Sequence, residues 1–271
     1  MSFARTVASL ALLGLSSGAF AADAVKAANN QISLSFGREK VSYTETYDNV
    51  WMDSENGHLD QARLSYMLQG DIGPVSDVYF QSVFGYAKGK TKYDGALNYW
   101  DGASWSSVPY QSTTRVTNSD VSLKIGKGFA IGSRVQLTPF LGYDYHQWKR
   151  DLGPADLGGY KEVYDHHAVS VGLLGQAAIT DKLVASAWAS RGRMIRARME
   201  VEDDTTFRLK ARHVTSWGLG LDYRVSGNIR VNAGYQWSKF RYGESNVIDG
   251  FLEPDSETTL KSYYMGAGYA F

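Results

Sequence analysis

The sequence predicts an all-β chain folded as a transmembrane antiparallel up-and-down β-barrel of about ten strands, with about eight or twelve as the neighbouring counts. Three observations predict it. Apolar and polar side chains alternate with a period of two through nearly the whole chain. The connections between the alternating runs are short and long in turn. The chain ends "KSYYMGAGYAF", with Tyr263, Met265, Ala267, Tyr269 and Phe271 on one face. Terminal residues are usually polar and loose, so this face needs an apolar surrounding.

The first residues, "MSFARTVASLALLGLSSGAFAADA", carry Arg5, an apolar run around Val7 to Leu15, and the small triplet Ala19-Phe20-Ala21. That layout predicts a secretory signal peptide over 1–21, cut after Ala21. The run is too short to cross about 30 Å of hydrocarbon. Residues 22–30, "ADAVKAANN", read as a periplasmic lead-in, and 31–271 as one barrel domain without a linker.

Alternation then recurs strand by strand. The expected spans are 31–46, 59–69, 77–90, 115–127, 134–149, 161–179, 182–199, 209–225, 228–242 and 259–271. In "RVQLTPFLGYDYHQW", Val135, Leu137, Leu141, Tyr143 and Tyr145 face one way and Gln136, Thr138, Asp144 and His146 the other. In "HVTSWGLGLDYRV", Trp217, Leu219, Leu221 and Tyr223 oppose Ser216, Asp222 and Arg224. "GDIGPVS", "GFAIGS", "TDK" and "SGN" are the short connections, rich in turn-forming residues. The long ones are 47–58, 91–114, 150–160, 200–208 and 243–258.

Composition narrows the classes further. Among 271 residues there is no cysteine, so no disulfide framework or thiol chemistry is available. Lysine and arginine number 28, as do aspartate and glutamate, which argues against a nucleic-acid partner. A mean hydropathy of -0.31 suits strands that turn half their side chains to a polar interior.

The terminal "YAF" resembles the closing signature of Gram-negative outer-membrane barrel proteins. That resemblance implies that Tyr269 and Phe271 serve recognition by the barrel assembly machinery. "LTPFLGYDYHQW" is similar to a strand motif of the opacity and OmpA-like small barrels, across the mature chain. Short turns on one side and long loops on the other are the layout of that class. The partners so implied are outer-membrane lipid and lipopolysaccharide, the assembly machinery, and a host or surface ligand.

Ten strands enclose a lumen that side chains can nearly fill. Arg63, Asp120, Lys124, Asp144, His146, Arg196, Arg198, Asp222 and Arg224 are expected on the inward faces. Their mixed signs predict a paired, plugged interior, with a narrow pore as the alternative.

The ten-strand layout is also similar to that of the omptin proteases, which use an Asp–His pair facing an Asp pair across the outer rim. "YDHH" puts Asp165 and His167 on one strand face, as a general base would require, with Asp94 and Asp101 as possible opposite partners. The family's acidic doublet is closely spaced and its Asp–His pair lies in a later loop, so the pattern is met only in part, and rim proteolysis stands as the runner-up function. No metal site, cofactor, serine motif or phosphate loop is expected.

In "KYDGALNYWDGASWSSVPYQSTT", Tyr93, Tyr99, Trp100, Trp105 and Tyr110 interleave with Ser, Gly and Asn. Rigid aromatics among small polar residues form adaptable binding surfaces, so this stretch is the candidate adhesive tip. The acidic runs "YDNVWMDSENG", "EVEDD" and "SNVIDGFLEPDSE" read as solvated loops.

Overall fold

The computed structural model describes residues 18–100, 102–153, 159–202 and 205–271. A helix, α1 (Gly18–Ala28), precedes the strands β1 (Gln31–Tyr47), β2 (Val50–Ile72), β3 (Val75–Trp100) and β4 (Trp105–Lys127). A short β5 (Phe129–Ile131) follows, then β6 (Val135–Asp151), β7 (Lys161–Ala178) and β8 (Leu183–Val201). The chain finishes with β9 (Thr205–Ser226), β10 (Ile229–Ser245) and β11 (Asp255–Ala270).

Neighbouring strands pair antiparallel, and two pairings close the sheet. β1 runs against β11, from Gln31 opposite Ala270 to Thr46 opposite Asp255. β4 runs against β6, from Arg115 opposite Asp151 to Gly126 opposite Phe140. β5 only folds back on the start of β6, so the wall itself is made of the remaining long strands. Closure gives every wall strand two partners, the condition under which a sheet can cross lipid.

Three of the expected long loops are instead mostly strand, 200–208 among them, since β8 runs to Val201 and β9 starts at Thr205. Residues 47–58 reduce to a turn at Asp48 and Asn49, both at positive φ (49° and 64°), between the paired Tyr47 and Val50. That is the backbone of a two-residue hairpin whose twist matches its strands. Residues 91–114 belong mostly to β3 and β4, which stay paired as far as Trp100 opposite Trp105. A crossing strand needs about 9–11 residues, whereas β2, β3 and β4 have 23, 26 and 23. The upper halves therefore stand clear of the membrane as a tower of paired strands.

Side-chain character inverts at that boundary. Low on β1, Ile32, Leu34 and Phe36 are exposed on the outer face while Gln31, Ser33 and Ser35 are buried inside. Higher up, Arg38 and Lys40 take the outer positions, and Val41 and Tyr43 fill the interior. The period of two never breaks; only the solvent on each side changes. Inside the tower, Val41, Leu59, Val116, Trp148, Met194 and Phe240 belong to one packed apolar cluster.

Residues 22–30, expected as a lead-in, form the second half of α1 and the step into β1. Ala24, Val25 and Ala28 pack on Ala178 and Val184 at the short-turn ends of β7 and β8. The helix thus lies against the lower mouth of the barrel.

Candidate functional site

Three layers of side chains occupy the lumen. The lowest is a set of amides. Asn29 Nδ2 donates to Gln69 Oε1 (2.7 Å) and to Gln176 Oε1 (2.8 Å), and Gln176 Nε2 returns a bond to Asn29 Oδ1 (2.7 Å). Gln69 Nε2 donates across to Gln136 Oε1 (2.9 Å). Beside them Asp222 accepts from Gln31 Nε2 (2.8 Å) and is ion-paired with Arg230.

The middle layer divides two polar chambers of about 120 and 130 Å³. Arg63, Lys124, Trp188 and Tyr264 line both. The Arg63 guanidinium lies 4.4 Å above the Tyr264 ring, and Lys124 Nζ 3.6 Å above the Trp188 ring. Cation–aromatic stacking of this kind strengthens when the charge is desolvated. Asp120, Asp144 and His146 line the upper chamber, where Asp120 Oδ1 meets His146 Nδ1 at 2.7 Å.

The top layer is an acid–arginine–tyrosine network inside the tower. Arg150 is fully buried, with Nε 3.2 Å from both Glu55 and Glu162 and Nη1 3.7 Å from Glu45. Asp53 and Glu253 feel the same cation. The Arg150 guanidinium also sits 5.1 Å from the Tyr43 ring and 5.0 Å from the Trp148 ring. Tyr43 donates to Glu45, and Tyr164 to Glu253. Five carboxylates share one guanidinium, so burial drives several towards their neutral form. Glu45 is pushed up to about 8 by burial and by Asp53. Burial likewise raises Asp53, Glu162 and Glu253, against the opposing pull of Arg150. Asp53, Glu55 and Glu253 come from runs expected to be solvated loops, whereas strand parity turns Asp53 and Glu55 inward. Among the described residues no cluster of His and carboxylates could hold a metal ion.

The other sequence candidates scatter. Arg196 and Arg198, expected in the lumen, face outward. The ladder with β7 pairs Ala168 with Met194 and His167 with Arg196, leaving Ile195 as a bulge that reverses parity above it. Ala197 and Met199 are buried in their place. Arg224 keeps inward parity at the lower rim, where it donates to the Asp181 carbonyl (3.2 Å).

Asp165 and His167 do share a face, but it is the outer wall. Arg198 Nε donates to Asp165 at 2.5 Å, and His167 Nδ1 lies 2.6 Å from the Tyr143 hydroxyl. Asp94 is exposed on the outer face of β3, with β4 and β6 intervening before β7. Outward groups on a convex wall cannot converge on one substrate bond, so this arrangement gives no Asp–His site. Asp101 lies outside the described residues.

Tyr93, expected at an adhesive surface, points inward and donates to Asp53 (3.3 Å), with the Tyr110 ring 6.4 Å away. Tyr99, Trp100 and Trp105 lie on the last paired positions of β3 and β4, and their side chains are outside the described residues. Tyr269 is exposed on the outer face, and Phe271 stacks on Tyr66 at 5.7 Å while its N–H donates to the Asn30 carbonyl. Sequence reasoning missed the acid network because its members lie in three separate segments. The signal that could have found it is the alternation "Tyr43-x-Glu45" and "Asp53-x-Glu55" across one tight turn.

No family model matches the chain, and no curated protein sequence does. Solved structures do. The outer membrane protease OmpT from Escherichia coli aligns over 90% of this chain and 97% of its own, at 11% identity and a TM-score of 0.55. The attachment invasion locus protein Ail of Yersinia pestis aligns over 90% and 99%, at 14% identity and a TM-score of 0.30. The translocator domain of autotransporter NalP from Neisseria meningitidis aligns over 89% and 88%, at 12% identity and a TM-score of 0.38. A closed antiparallel wall, an apolar band on its outside and the likeness to the OmpT fold define a transmembrane β-barrel. The chain has that fold, with an outer wall built to face lipid.

Proposed function

We propose that the chain is a non-conducting outer-membrane barrel that acts at its outer end, as a structural or surface-binding protein. The observation that carries this reading is the filled lumen: amides at the floor, cation–aromatic pairs at the waist, and an apolar core with buried Arg150 above. The tower offers paired strands rather than loose loops, so whatever meets its tip meets a pre-ordered surface at small entropic cost. Lipopolysaccharide around the wall, the assembly machinery through Tyr269 and Phe271, and a host or surface ligand at the β3–β4 tip are the partners of this reading. Cleavage after Ala21 leaves Ala22 to Asn30 free to close the lower mouth.

The test is electrical. Purified protein reconstituted in planar bilayers should give no conductance above the lipid background; regular single-channel steps would overturn the closed lumen. For the surface role, joining Asp94 to Gln111 removes the tip while keeping a paired position at the junction. Loss of cell attachment to a host or matrix surface would support a binding function, and unchanged attachment would leave a structural one.

A further inference from the structure

We infer that the outer wall formed by β8, β9, β10, β11 and β1 binds one phosphorylated, acylated glycolipid of the outer leaflet. The inference deepens the lipopolysaccharide part of the proposed function and rests on that part, not on the closed lumen. Two grooves lie one above the other on this wall. The upper has a volume of about 880 Å³ and is lined by Arg191, Arg212, His213, Lys239 and Arg241. The lower, about 750 Å³, lies in the apolar band and is lined by Phe36, Leu219, Leu221, Ala233, Tyr263 and Met265.

A single outward position separates the grooves on each of two strands. On β9 it is Trp217, between Thr215 and Leu219; on β10 it is Trp237, between Lys239 and Tyr235. The two indoles stack at 6.4 Å and 25°. Thr215 to Leu219 is about 13 Å of strand, so one amphiphile can occupy both grooves. Its charged head would lie above the indoles and its chains below. Indole rings prefer this interfacial level, where one edge is wet and the other apolar.

The charge balance selects the head. Glu257 pairs with Lys239 and Arg241, and Asp255 lies 3.8 Å from Arg212. Four permanent cations against two carboxylates leave the upper groove positive. Arg191, and Arg193 at the next outward position of β8, have no carboxylate within ion-pair distance among the described residues. An unpaired guanidinium matches a phosphate through parallel hydrogen bonds. The lower groove complements this with a floor at Ala233, low enough to admit a straight acyl chain between Leu219 and Leu221 on one side and Phe36 and Met265 on the other. The upper groove lies towards the end opposite α1 and Phe271, which is the outer leaflet when the termini are periplasmic, and the lower one descends from the indoles into the middle of the apolar band.

The experiment measures lipid retained by the detergent-purified, folded protein, by native mass spectrometry. The probes are phosphorylated lipid A, the same lipid A after dephosphorylation, phosphatidylglycerol and inorganic phosphate. Phosphorylated lipid A should be retained at least about tenfold more tightly than the others, since each basic side chain at an anionic headgroup adds measurably to affinity. Arg191→Glu combined with Arg193→Glu should abolish that preference. Ala233→Phe, which narrows the lower slot and leaves the charge alone, should weaken retention several-fold. Both variants should keep the gel shift between boiled and unboiled samples that marks a folded barrel. Equal retention of phosphatidylglycerol, or unchanged retention by the folded charge-reversed variant, would overturn the site while leaving lipopolysaccharide a partner elsewhere on the wall. No lipid A bound by any form would sink the partner itself.

Discussion

Arg150 is buried and paired with three carboxylates, with Asp53 and Glu253 close enough to feel its charge, and its removal is the most informative single change in the lumen. A buried charge that loses its partner destabilises by about 3–5 kcal/mol. Arg150→Met should therefore lower the stability of refolded protein by about that much at neutral pH, measured by urea unfolding in detergent. The loss should shrink at acid pH, where the acids are neutral and need no counter-charge. The wild type has its own pH dependence, with a definite sign. Glu45 is held up to about 8 in the folded tower against 4.5 for a free glutamate side chain. The folded state thus binds the extra proton, its stabilising effect is complete below the unfolded value, and it is lost as pH rises through the folded one. Stability should fall between about pH 5 and 9, by a few kcal/mol at most, and Glu45→Gln should flatten the curve. Heat-modifiability followed against pH would check both. At this scale the sequence supplied parity, which placed Arg63, Lys124, Asp144 and His146 inward. Partners were hidden, because the Glu45–Glu55 hairpin, Glu162 and Glu253 meet only when three distant segments close on one another.

At the scale of the element, the two misread segments have opposite causes. "YDNVW" holds the Asp-Asn pair of a tight hairpin, yet Val50, Trp51 and Met52 form a run without alternation and the inward positions beyond are the acids Asp53 and Glu55, so no apolar stripe marks it as strand. Asn49 sits at φ 64°, a region where a β-branched side chain is strained by about 1–2 kcal/mol. Asn49→Val should cost about that much, and Asn49→Gly little, read as amide exchange along the β1–β2 tip. On β8 the alternation was plain, and a single bulged Ile195 defeated it. Arg196 and Arg198 kept the expected period but with the opposite phase, since a bulge shifts every later side chain to the other face. Deleting Ile195 should let the ladder run unbroken from Met194 to Arg196, so both arginines should stay outward and the folded gel form should persist. A bulge has no compositional mark, which is why phase was lost there and nowhere lower on the strand.

For the whole molecule, the closed wall and its lipid-facing exterior were legible from alternation and the terminal aromatics. The height of the tower was not. Its inside is built like a soluble core and its outside like a soluble surface, so hydropathy alone reads its strands as loops. The membrane-level wall should tolerate outward polar changes poorly, and the tower should tolerate them well. Removing Phe271 tests the lower edge: loss of its stacking on Tyr66 and its bond to Asn30 should reduce assembled protein in membranes, quantified by the unboiled gel form. The floor carries one further consequence. Asn29 is gripped at once by Gln69 of β2 and Gln176 of β7, walls that face each other only when the last seam has joined. The latch cannot engage a half-built cylinder, so fastening it marks completion. Because the chain has no cysteine, a lone thiol at Asn29→Cys would report the moment: reactive until the folded form appears, shielded after it. Protection that came earlier would mean the bolt slides home before the door is hung.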